Sequence, residues 1–133
     1  MSRLACFKLV SVAVLIVLPA FIVANAQTPA PTYDKSTEVK VQGVVDAVTI
    51  AADGNVHLSL KSDKGAQDVM IAPQSFLKMM GVFFRKGDRI EVVGAPAKVN
   101  GAALLLAREI TRDNDVMTMR DDQGNPVWVG WSP

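Results

Sequence analysis

Residues 85–110 read RKGDRIEVVGAPAKVNGAALLLAREI. Lys86-Gly87-Asp88 turns the chain, Arg89 to Val99 and Ala102 to Thr111 have the make-up of strands, and Asn100-Gly101 between them is a type I′ hairpin signal. Pro96 has no N–H to give a ladder, so it marks an edge or a bulge in an otherwise good strand. The stretch carries no nucleophile, base or metal cluster. Its content is architectural.

Upstream the same period of two continues. Val39 and Val41 share a face, and Gly43 can host a bulge that switches parity, so that Val44, Val48 and Ile50 carry the inward face onward. Asp53-Gly54-Asn55 is a turn signal. The second strand, Val56 to Ser62, turns Val56, Leu58 and Leu60 inward and His57, Ser59 and Lys61 outward. A two-residue corner at Lys64-Gly65 leads to a third strand ending at Ile71, with Leu60 facing Val69, Leu58 facing Ile71 and Lys61 facing Asp68. Pro73 opens a short helix whose apolar stripe is Phe76, Leu77 and Met80, and Gly81 suits the position after its last turn. Val82, Phe83 and Phe84 are expected to plug one end of the sheet. Beyond the quoted stretch, Val116 to Arg120 and Pro126 to Trp131 flank the turn Asp122 to Asn125, which reads as an appended C-terminal β-hairpin over residues 113–133.

Three strands, one short helix and two further strands form the order of a five-stranded OB-fold barrel, here residues 37–112 of a mainly β chain. A sandwich of short strands competes with it, but the single well-placed helix favours the barrel. The segments VQGVV (41–45), KGDRIEVVG (86–94) and NGAALLLAREI (100–110) resemble those of small exported bacterial OB-fold proteins. That resemblance implies the fold and leaves the function open.

The N-terminus reads as a signal peptide, residues 1–26: Arg3 and Lys8 are its basic part, Leu9 to Val23 its apolar run, and Ala24-Asn25-Ala26 its cleavage site. Cys6 precedes the apolar run, so it is not placed as a lipoprotein cysteine. Gln27 then begins the mature chain, with residues 27–36 as an extended linker. Without Arg3 and Lys8, 12 basic residues face 13 acidic ones, a net charge of −1, and no cysteine remains. Disulfides and thiolate metal sites are therefore excluded from the mature chain, and the charge offers no support for a nucleic-acid partner. A periplasmic or secreted location without a membrane anchor is expected.

Candidate functional residues are few. His57 is the only histidine, and no nucleophile, base and orienting group can be assembled around it, so no enzyme is expected. Trp128 and Trp131, in GNPVWVGW (124–131), are the candidate ligand- or partner-binding residues. If Val127 and Val129 cover the barrel, Trp128 projects outward and is the more exposed of the two rings. Met117 and Met119 share a strand face, and thioethers with an imidazole suit Cu(I). Here the chain has a weaker similarity to the OB-fold periplasmic copper/silver efflux chaperone family. That family holds its metal with a His on strand two and a Met-x-Met pair on strand three. His57 matches by strand, but the third strand offers only Met70, and Met117 and Met119 lie beyond strand five. The expectation is a non-catalytic binding module for a small ligand or an envelope protein, needing no cofactor. The alternative is a Cu(I)-handling protein using His57, Met117 and Met119.

Overall fold

The computed structural model describes residues 31–130; the expected signal peptide, residues 27–30 and Trp131 lie outside them. After a 3-10 turn at Lys35–Thr37 come β1 (Val39–Ile50), β2 (Asn55–Ser62), β3 (Gly65–Pro73), α1 (Gln74–Met80), β4 (Arg89–Val99), β5 (Ala102–Arg112) and β6 (Asp115–Thr118). The sheet order is β3-β2-β1-β4-β5-β6, antiparallel throughout. A short parallel pairing, Val69 with Leu105 and Met70 with Leu106, joins β3 to β5 and turns the sheet into a ring. The ring is the OB barrel expected from the element order. Its closure rests on two residue pairs.

Leu58, Leu60, Val69, Ile71, Ile90 and Val92 all sit in the core, as their alternation requires. The β4–β5 turn has φ of 51° at Asn100 and 79° at Gly101, the left-handed pair that a type I′ turn needs. Pro96 pairs with Leu105, whereas β1 leaves β4 at Gly94, so the proline lies where β4 has become an edge. Gly81 closes α1 at φ 69°, and Val82 N–H donates to the Leu77 carbonyl at 2.9 Å.

Several details differ from expectation, each for a local reason. The β2–β3 loop is Asp63-Lys64, closed by Ser62 and Gly65, so Leu58 faces Val69 and Leu60 faces Gln67. A slip of two residues keeps every side chain on its face. The bulge in β1 falls at Asp46 instead of Gly43. Gly43 is there because β1 crosses close over β2: a Cβ would collide with the Lys61 carbonyl. Val45 is consequently the buried valine, while Val48 and Ile50 are 40% and 51% exposed. They share a face with Leu58 and Val56, but that half of β1 is paired on one side only. Phe76 and Leu77 complete the helix's buried face, leaving Met80 exposed. Phe84 is buried with Val82 packed beside it, while Phe83 points to solvent.

A second, smaller core lies on the outer side of the ring. Met70, Leu104 and Leu106 are buried there, with Tyr33, Ala97 and Val99 packed against them. The run Leu104-Leu105-Leu106 is thus apolar because β5 is covered on both faces. Tyr33 belongs to the segment expected as a linker. Residues 31–38 instead form a strap over the barrel.

Candidate binding cleft

The strap is fastened by charge. Tyr33 Oη donates to Glu38 Oε2 at 2.6 Å, and Arg108 on β5 grips the same carboxylate through Nε (2.8 Å) and Nη2 (2.9 Å). These guanidinium hydrogen bonds hold the Glu38 carboxyl at about 2. Burial and the bond to Glu38 push the Tyr33 hydroxyl up from its ordinary range.

The C-terminal extension meets the strap from the other side. β6 continues the sheet beside β5, and the expected hairpin follows in abbreviated form, its two arms joined by a single bridge between Arg120 and Pro126. Lys35 Nζ donates to the Asp122 carbonyl, and the Tyr33 ring packs where a Cβ on Gly124 would stand. After Pro126 the chain turns and does not extend, so alternation fails. Val127 and Val129 are 41% and 72% exposed, whereas Trp128 lies against the core, 5.9 Å from the Phe76 ring centroid. The face assignment is the reverse of the one expected: the valines do not cover the barrel, and the tryptophan does.

Between strap, extension and barrel lies a cleft of about 940 Å³. Its barrel side is the outer face of β2 and β3, with His57, Asp68 and Met70. Its ends are the β1–β2 loop, with Asp53, and the β4–β5 loop, with Asn100. Its outer wall is Tyr33, Arg120 and Trp128. His57 Nδ1 stands 3.3 Å from Asp68 Oδ1. The Asn55 N–H donates to Asp53 Oδ1 at 3.0 Å and holds that carboxyl below its usual value. A smaller hollow of about 470 Å³ lies elsewhere, among Gln42, Lys61 and Arg89.

Arg120 entered the sequence-based expectation only as the end of a strand, with no functional role. It is the buried charged side chain among the described residues, 5% exposed. The Tyr33 and Trp128 rings flank its guanidinium at 5.5 and 5.4 Å, and Nη1 donates to the Gly124 carbonyl at 2.9 Å. Its Nε–H has no acceptor among the described residues. Burial lowers its pKa from the ordinary arginine value. The signal in the sequence was an arginine eight residues before a tryptophan, which means nothing without the turn between them.

The structure thus brings Trp128 and His57 to one cleft and keeps Met117 and Met119 out of it. Both methionines are core residues, Met119 fully buried and Met117 paired with Ile110. His57 is instead the cross-strand partner of Met70.

A family model described as the MamS/MamX magnetosome protein family matches residues 36–117. The chain belongs to that family. The MamS/MamX match runs from the end of the strap to β6, so it takes in the barrel and the inner side of the cleft. Arg120, Gly124 and Trp128, which build the outer wall, follow the matched residues. No curated relative matches the chain.

Proposed function

We propose that this MamS/MamX-family chain is an exported, non-catalytic binding module that holds a small ligand, or a side chain of an envelope partner, in the cleft. One observation carries the reading. The cleft lies on the β2–β3 face between the β1–β2 and β4–β5 loops, the surface through which OB barrels take their ligands, and an added extension walls it. The cleft offers aromatic faces, a thioether and a few polar groups, a lining suited to recognition. The family's description supports a component of the magnetosome as the partner. Export rests on Arg3, Lys8 and the Ala24-Asn25-Ala26 site, and predicts a mature protein starting at Gln27 by mass spectrometry.

The test is a fragment screen by amide NMR. Perturbed resonances should gather at His57, Asn100, Gln123 and Trp128. Perturbation gathered at Gln42, Lys61 and Arg89 would move the site to the other hollow and end this reading. Cu(I) handling keeps one observation in its favour, the pairing of His57 with Met70. On that reading Met70→Leu abolishes Cu(I) binding, while Met117→Leu/Met119→Leu leaves it intact.

A further inference from the structure

Arg108 and Arg120 face opposite circumstances. Arg108 has a bidentate carboxylate in Glu38 and a second in Glu109 at 3.0 Å. Arg120 is buried more deeply, and no carboxylate among the described residues lies within ion-pair distance. Its guanidinium carbon stands over the two aromatic rings, and Gly124 holds one nitrogen. Of the N–H groups that remain, the buried Nε–H has no acceptor among the described residues. A buried cation without a counter-ion is costly, and so is a buried donor left unpaired. The arrangement becomes favourable once an anion lies in the guanidinium plane, because the Nε side of arginine is a ready fork for an oxyanion.

We infer that Arg120 anchors the ligand of the cleft, and that the ligand brings a carboxylate on an apolar body. This rests on the cleft being the binding site. Carboxylate is favoured over phosphate because Asp53 and Asp68 line the same cleft and oppose a dianion more strongly than a monoanion. The apolar body follows from Met70, Leu104 and Trp128 alongside. Nε itself is shielded from water, so the carboxylate reaches it only as the wall yields. Trp128 is the part able to yield, since its segment is tied to the barrel by one bridge and a few turn hydrogen bonds.

The experiment titrates the mature protein with benzoate, its neutral isostere benzamide and inorganic phosphate, following the Arg120 Nε–H resonance. Trp128 emission is read on a Trp131→Phe background. Benzoate should shift the Nε–H signal and change the emission, and benzamide should do neither. Arg120→Lys, which keeps the charge but loses the fork, should weaken benzoate by about tenfold or more. The wild-type resonance keeps the inference testable if that variant does not fold. A peptide with a free C-terminal carboxylate, against its C-terminal amide, separates the two sources: tighter binding than benzoate assigns the carboxylate to a partner chain, weaker binding to a small molecule. Benzamide binding in the cleft as well as benzoate, with Nε–H unmoved, overturns the carboxylate inference and leaves the binding module standing. Phosphate moving Nε–H where benzoate does not overturns the choice of carboxylate. No perturbation of any cleft resonance removes both.

Discussion

Gly124 has φ of 86°, and the Tyr33 ring fills the space where its Cβ would be. Alanine there meets two costs at once, about 1 kcal/mol or more for the left-handed backbone and a clash that drives the ring out. Gly124→Ala should therefore loosen Tyr33 and weaken any ligand of the cleft while leaving the barrel folded, as near-UV and far-UV circular dichroism would show separately. A second contrast probes the barrel. Leu60→Ala empties a site with no solvent exposure and should cost about 2–5 kcal/mol in urea unfolding. Lys61→Ala loses only an exposed pair with Asp46 at 3.6 Å, and should cost under about 1 kcal/mol. Equal costs would mean that the strand is turned over. Leu60 and Lys61 were legible from alternation alone. Trp128 was not, because alternation presumes an extended chain and residues 127–130 turn.

Among the elements, the strap is held by charge. Glu38 has its carboxyl at about 2 when folded, against an ordinary 4.5, so its contribution is complete above pH 4.5 and is lost as pH falls towards 2. Unfolding at about pH 6 and about pH 3 should differ by up to about 2 kcal/mol from this group. Glu38→Gln should be less stable at neutral pH and show a flatter acid limb; an unchanged limb would detach the strap from Arg108. Local signals had made much of the barrel readable: Asn100-Gly101, the Gly81 cap and the edge proline each act within a few residues. The two-residue slip between β2 and β3 was invisible to parity, since both registers bury the same side chains. The strap was unreadable for another reason. Its partners Glu38 and Arg108 lie 70 residues apart, and the apolar run at Leu104 to Leu106 has no alternation to show that both faces are covered.

For the molecule as a whole, the ring closes through two β3–β5 pairs, and every other ladder in it is antiparallel. Amide exchange at Val69, Met70, Leu105 and Leu106 should require global unfolding, whereas the amides of residues 127–130 should exchange first. Early exchange at Leu105 and Leu106 would show a ring that opens on its own. The two ends of the described chain meet at one place, for Pro31 and Val129 both line the cleft. A bulky label attached at Pro31 or at Val129 is thus held at the cleft mouth, where it can obstruct binding or mimic it. A handle inserted at the Asp63-Lys64 loop avoids the problem, because that turn does not border the cleft.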